Sequence, residues 1–174
     1  NEAALREAGS KHVFMHASPY RALAKDMGKR ILVEGKGCIV KDIDGNEFID
    51  ALAGLWLVNV GHGRPEIGEA MAKQAGALAY ASSTQATTIP AIQLATHLAE
   101  ITPGDLGTAF FCSGGSEAVE SAIKIARQFH YHNGEPKRQK VTGRRGSYHG
   151  ATYGAMSVSG TRPNAEPYHS PFMH

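Results

Sequence analysis

Between residues 31 and 52 apolar positions come in short runs: 31–34, then Gly35-Lys36-Gly37, then 38–43, then Asp44-Gly45, then 46–52. Short runs bounded by glycine and aspartate read as strands. Asp-Gly between two of them signals a two-residue hairpin, because both central positions of that turn need positive φ. The segment predicts a small antiparallel meander. Asp42-Ile43-Asp44-Gly45-Asn46 looks like the start of a calcium loop, but its glycine arrives too early and no glutamate stands at the twelfth position.

From Arg64 the period lengthens. Pro65 suits a first helical turn, where its missing N–H costs nothing, and Ile67, Met71 and Leu78 follow as a core stripe. Ala91, Leu94, Ala95, Leu98 and Ile101 form a second stripe that ends at Pro103-Gly104. The small, polar stretch 80–88 between them is a loop with the reach to meet a neighbouring surface.

Thr108-Ala109-Phe110-Phe111-Cys112 reads as a buried strand running into Ser113-Gly114-Gly115-Ser116-Glu117. An amphipathic helix follows, with Val119, Ala122, Ile123 and Ala126 on one face and the i, i+4 pair Glu120 and Lys124 on another. Strand, glycine turn and helix make an anion site. The first helical amides have no internal partner and lie at the positive end of the macrodipole, while glycine lets a phosphate approach the backbone. A plain strand-to-helix turn with serine as a cap fits the same residues. Neither G-x-x-x-x-G-K-[ST] nor G-x-G-x-x-G is present. Residues 140–144 read as another strand, opening into Gly146-Ser147-Tyr148-His149-Gly150 where open α/β sheets place their ligands. Tyr148 offers a flat face to a planar ligand and His149 a hydrogen bond; taken alone, the stretch reads more simply as an ordinary surface turn.

Composition narrows the classes. Hydrophobic residues are 42% and charged ones 20%, with 18 Lys+Arg against 16 Asp+Glu, a balance that excludes disorder and implies no polyanionic partner. The length of 174 residues is sufficient for one domain with a full core. Glycine, 20 residues where about 7% is usual, points to loops with positive φ or close backbone approach. Cys38 and Cys112 read as a reduced pair. No apolar run approaches the roughly 18 residues of a membrane span, and the first residues are charged where a signal peptide is apolar, so a cytoplasmic protein with no membrane partner is expected.

Taken in order, Gly54-Leu55-Trp56, Asn59-Val60-Gly61-His62-Gly63, residues 110–118 around Ser113-Gly114-Gly115-Ser116, and Ser147-Tyr148-His149-Gly150 resemble the class III, or omega, aminotransferases. The resemblance runs from about Ile31 to the end of the chain. It implies an α/β, fold-type I transferase dependent on pyridoxal 5′-phosphate. Residues 1–60 would be an N-terminal segment of the small domain, and 61–174 the beginning of the large, mainly parallel-sheet domain. It further implies that Gly115 and Ser116 hold the cofactor phosphate with Gly114 in the same turn, that Tyr148 stacks on the pyridine ring with His149 beside it, and that Trp56 lines the substrate entrance. Relatives often carry a bulkier, polar residue in place of Ser113 or Gly114, which leaves the number of phosphate contacts open. Trp56 also fits a core anchor between the meander and the first long helix. Thr84 and Gln85 stand where relatives often have aromatics, implying a roomier or more polar pocket.

The activity implied is transfer of an amino group from an amine or omega-amino acid to an oxo acid such as pyruvate, in a homodimer with its sites at the subunit boundary. A Schiff-base lysine is required. Lys124 on a polar helix face and Lys140 at a strand start do not match its context, so no catalytic residue is assigned within the chain. That lysine is expected beyond His174, and the chain by itself is expected to be inactive. An aminomutase or decarboxylase of the same family is the alternative, and a non-enzymatic phosphate- or nucleic-acid-binding domain the remaining one.

The remaining constellations have simpler readings. His12 and His16 are spaced i, i+4 but lack a third ligand, so no metal is expected. His130 and His132 suit a helix C-terminus. Lys137, Arg138, Lys140, Arg144 and Arg145 form a basic cluster without interleaved aromatics or a recognition helix, which reads as a solvated connection and not a nucleic-acid surface.

Overall fold

The computed structural model describes residues 1–15 and 31–160. Its contacts divide the chain into two compact units, Asn1–Ala86 and the residues from Thr87 onward. The first opens with helix α1, Glu2–His12, where the Asn1 side chain accepts from the Ala3 amide at 3.2 Å. The helix ends at His12, with Val13 already extended. His16, its i+4 companion, lies outside the described residues.

The meander is present as strands β1 (Leu32–Lys36), β2 (Ile39–Asp42) and β3 (Glu47–Ile49), antiparallel in the order β1-β2-β3. Val40, central in the register opposite Gly35 and Phe48, is the buried apolar side chain among the described residues of this unit. The β2–β3 turn differs from the two-residue form that Asp-Gly suggests. The Gly45 amide bonds the Asp42 carbonyl at 3.0 Å and the Asp42 amide bonds the Asn46 carbonyl at 3.0 Å, so the loop has three residues, with Gly45 alone at φ +86°. This is a type I turn closed by a glycine bulge. Asp42 explains the choice. Its Oδ1 accepts from the Asp44 and Asn46 amides at 3.0 and 2.8 Å, and its Oδ2 accepts from Asn46 Nδ2 at 3.0 Å. Arg6 of α1 ties onto the same turn through Asp44 at 2.6 Å.

The Asn46 side chain, followed by the Asn46 and Asp44 amides, holds the buried Asp42 carboxyl below its ordinary range against the opposing effect of burial. A depressed folded-state pKa stabilises the fold above the unfolded value near ~3.9 and ceases to do so as pH falls through the folded value. In the whole protein, Asp42→Asn is therefore expected to flatten the fall of stability with acid below about pH 4, read from urea unfolding at a series of pH values. An unchanged acid slope would count against this role for Asp42.

Beyond β3 the chain comes back onto the meander. His62 and Gly37 exchange both backbone hydrogen bonds, at 2.8 and 3.0 Å. A Cβ on Gly35 would stand 2.7 Å from His62 Cγ, so only glycine lets the imidazole lie flat against β1. Between β3 and His62, the turn Ala53–Trp56 is wound left-handed: φ is +48°, +59°, +66° and +67° for Ala53, Gly54, Leu55 and Trp56. Its bonds run Trp56 amide to Leu52 carbonyl and Leu57 amide to Ala53 carbonyl, at 2.8 and 2.9 Å. Each of the three non-glycine residues gives up roughly 1–2 kcal/mol in this conformation. Helix α2, Pro65–Ala77, follows with proline in its first turn.

In the second unit helix α3, Ile89–Ile101, is capped by Thr88, whose hydroxyl accepts from the Ala91 amide at 3.4 Å. Helix α4, Gly115–His132, packs against the short helix α5, Tyr153–Ser157. Ala155 of α5 is fully buried, and Ser121 of α4 and Ser159 are nearly so. Residues 108–112, read as a strand from their apolar run, and 140–144, also read as a strand, belong to no ladder among the described residues. One parallel bridge, Arg145 to Gly160, is present. A strand exists through its neighbours, and a parallel one needs a crossover to supply them.

A length sufficient for a full core meets little apolar burial among the described residues. Among the described residues Val40 and Ala155 are the buried apolar side chains, while Ile67, Met71, Leu94, Ile101 and Phe110 stay exposed. Apolar stripes suffice to make amphipathic helices but bury nothing until a second surface covers them. No described helix is long and apolar enough to cross a membrane.

Candidate cofactor site

The start of α4 supplies the first half of the site. Gly114 is the N-cap and Gly115, Ser116 and Glu117 are the first three helical residues; the first helical bond runs from the Ala118 amide to the Gly114 carbonyl at 3.0 Å. The Gly115, Ser116 and Glu117 amides therefore precede the ladder and have no partner within the helix. Glu117 reaches back to accept from the Ser113 amide at 2.8 Å, fixing the angle at which the preceding segment enters. A Cβ on Gly114 or Gly115 would meet nothing within 4 Å, so the protein's own packing does not demand glycine there. What the two glycines leave is open space over unbonded amides at the positive end of an 18-residue helix, a fit for an anionic group such as phosphate.

The second half is the loop 147–151, and Ser116 brings the two together. Its Oγ accepts from the Ala151 amide at 3.0 Å, which leaves the hydroxyl hydrogen available to a further acceptor. Buried Gly150, at φ +140°, passes so close that a Cβ would lie 2.5 Å from Ser116 Oγ and 2.7 Å from Ala155 Cβ. The His149 amide donates to Ser159 Oγ at 2.9 Å, and the Ser159 hydroxyl donates to the Ala155 carbonyl at 3.1 Å. The Gly160 amide donates to the Ser147 carbonyl at 2.9 Å. The loop is thus held at both ends, with Tyr148 exposed between them and His149 half-buried.

Glu120 is a residue that sequence reasoning missed. Its place as the i, i+4 partner of Lys124 suggested a solvated pair, yet its carboxylate turns to the start of α5, accepting from the Gly154 amide at 3.2 Å. The Thr152 hydroxyl, more than any other neighbour, holds the Glu120 carboxyl below its ordinary range, and Lys124 contributes least. The available signal was its spacing: Glu120 stands one helical turn after Ser116, on the face that meets residues 150–155.

Lys124 and Lys140 are both exposed. In the basic cluster, Arg138 and His130 converge on Glu135 at 2.9 and 3.0 Å, and Arg127 donates to the Gln139 carbonyl at 3.0 Å. Arg138 is the main reason the Glu135 carboxyl is held below its ordinary range. Of the cluster's residues, Arg138 is thus paired with Glu135. Trp56 belongs to the first unit, in the left-handed turn, where it is 72% exposed.

These features coincide with a family. The chain belongs to the class-III aminotransferases, whose family model matches residues 20–174. It is similar to a probable aminotransferase of Mycobacterium tuberculosis, 42% identical over 158 residues that make up 91% of this chain and 33% of that relative. It is also similar to a beta-alanine–pyruvate aminotransferase of Pseudomonas aeruginosa, 36% identical over 89% of this chain and 34% of the relative. In structure it matches a thermostable (S)-enantioselective omega-transaminase from Thermomicrobium roseum with a TM-score of 0.92 at 38% identity, across 97% of this chain and 38% of that one. The chain spans about a third of the length of the curated relatives it matches. Its fold is that of the fold-type I, pyridoxal-phosphate-dependent transferases, as the ordered motifs imply.

Proposed function

We propose that the whole protein is a transaminase that moves an amino group from an amine or omega-amino acid to an oxo acid such as pyruvate, with pyridoxal 5′-phosphate as its cofactor. The observation that carries this reading is the bond between Ser116 Oγ and the Ala151 amide, which joins an open helix start to a loop presenting an exposed tyrosine. A phosphate and an aromatic ring within one small molecule need those two surfaces held at a set spacing.

In this reading the Gly115 and Ser116 amides and the Ser116 hydroxyl bind the phosphate, and Gly114 leaves room for it. Tyr148 covers one face of the pyridine ring, where offset stacking of two rings contributes about 0.5–1.5 kcal/mol beyond area burial. His149 stands beside it, and Trp56 lines the substrate entrance. The cofactor, when bound, supplies the electron sink that lets the donor's α-proton leave. Protein residues hold it by its phosphate and ring so that the reacting atom keeps its place. Lys124 and Lys140 take no part, because both stand exposed to solvent, where most lysines are solvated surface groups. Residues 1–60 are assigned to the small domain and 61–174 to the large one, and the enzyme is read as a cytoplasmic homodimer. The pyruvate-linked relative supports the choice of acceptor.

The test uses the whole protein. Loaded with pyridoxal phosphate, it should show a visible absorption band, and borohydride should fix the cofactor covalently to a lysine other than Lys124 or Lys140. A panel of amines with and without pyruvate should show turnover only with the acceptor present. Turnover without an acceptor would point to an aminomutase or decarboxylase, and cofactor trapped on Lys124 would overturn the site assignment.

A further inference from the structure

The turn that carries Trp56 is wound against the preference of its own residues. Ala53, Leu55 and Trp56 all have φ between +48° and +67°, where only Gly54 is at ease. Among the described residues little packing compensates, for Leu55, Trp56 and Leu57 are 66%, 72% and 84% exposed. The fastening is polar and converges on one carboxylate. Asp50 Oδ2 accepts from the Gly54 amide at 2.8 Å and meets His62 Nε2 at 2.8 Å. Asp50 is itself tied to the meander by its amide, which donates to the Cys38 carbonyl at 2.8 Å. His62 is tied there by both backbone bonds to Gly37 and by its ring lying against Gly35. Asp50 thus fastens the middle of the turn to a part of the sheet that cannot shift with it. Strained conformations of non-glycine residues persist only where the surroundings over-determine them.

We propose that Asp50, braced by His62, is a positioning residue for substrate selection: it holds the left-handed turn that sets where Trp56 stands. This rests on the reading of Trp56 as a wall of the substrate entrance. Asp50 touches neither substrate nor cofactor in this scheme. Its removal lets the turn relax toward right-handed or extended backbone, and the indole moves with it. Discrimination among amines by size therefore changes, while the phosphate and ring contacts, which lie on other residues, do not.

The whole enzyme with Asp50→Ala or Asp50→Asn is compared with wild type by backbone amide exchange and by steady-state kinetics, with benzylamine as the bulky donor, propylamine as the small one, and pyruvate as acceptor. In Asp50→Ala the Trp56, Leu57 and Val58 amides should exchange faster by about tenfold or more, since freeing even one such residue is worth that factor, while amides of β2 stay as they are. KM for benzylamine should change relative to propylamine with kcat and the cofactor absorption held. Asp50→Asn, which keeps an acceptor in place, should fall between the two. Adding Leu55→Gly to Asp50→Ala should slow exchange again, because glycine accepts the left-handed conformation without help. Unchanged exchange in Asp50→Ala, or no recovery on adding glycine, overturns the holding role. An unchanged KM ratio, or a common fall in kcat for both amines with an altered cofactor band, overturns the role in selection. A wild type that transfers no amino group to pyruvate defeats the transaminase reading instead, and the exchange data still decide whether Asp50 holds the turn.

Discussion

Gly150→Ala is expected to strip the whole enzyme of most of its affinity for pyridoxal phosphate. At φ +140° a side chain is strained in any surroundings, and here the added methyl would stand 2.8 Å from Ser116 Cα, 2.5 Å from Ser116 Oγ and 2.7 Å from Ala155 Cβ. Ser116 Cα is helix backbone and Ala155 is fully buried, so neither has slack to give. Overpacking of this kind costs about 1–3 kcal/mol, and the backbone conformation adds roughly 1–2 kcal/mol more. The loop can escape only by leaving Ser116, which separates the proposed phosphate cup from Tyr148. Since about 1.4 kcal/mol is a factor of ten, cofactor Kd should rise by roughly thirtyfold to a few thousandfold, measured by equilibrium dialysis or the visible band. Ser116→Ala should be milder, because it removes one acceptor and one donor without moving the loop. Equal cofactor affinity in Gly150→Ala and wild type would sink the idea that the two halves must touch.

Gly143→Ala is expected to have a comparable effect from further away. A methyl group there falls directly on the Val158 carbonyl, and one on Gly160 falls on the Arg144 carbonyl. These neighbours are backbone and cannot swing aside. Residues 143–145 would have to part from 158–160, breaking the parallel bridge from Arg145 to Gly160 and the Gly160 amide's bond to the Ser147 carbonyl. Tyr148 and His149 lie just beyond that break. The expected result is faster amide exchange and proteolysis across 141–160, together with weaker cofactor binding, while exchange in β1–β3 is unchanged. Retention of the wild-type exchange pattern in that segment would show that the close approach is dispensable.

Helices α2, α3 and α4 were legible because each announces itself locally, whereas α1 and α5 were not read from the sequence. Pro65 and Thr88 mark the starts of α2 and α3, Pro103 follows the end of α3 closely, and the glycine pair Gly114-Gly115 opens α4 just where the strand-to-helix reading puts it. The meander was legible for the same reason, though its turn was misjudged by one residue. Asp-Gly is compatible with two hairpin geometries, and the Asp42 carboxylate, by accepting three bonds, selects the three-residue one. The left-handed turn was not legible. Only Gly54 among its four residues favours positive φ, and the groups that hold it, Asp50 and His62, are three or more residues away. Glu120 escaped for a related reason: its i+4 lysine is visible in the sequence, whereas its contacts at Thr152 and Gly154 are more than thirty residues distant.

By itself the sequence determined helices α2, α3 and α4, the antiparallel meander and, through motifs in a set order, membership of the class-III aminotransferases. Such features are written in residues adjacent to one another, where propensity and capping act within a turn or two. Only the tertiary structure decided that Ser116 meets Ala151, that Gly150 and Gly143 are places with no room for a methyl group, and that Asp50 fastens a turn its residues would not choose. Each of those depends on groups brought together through space by the fold, at distances of a few ångströms that no local pattern encodes.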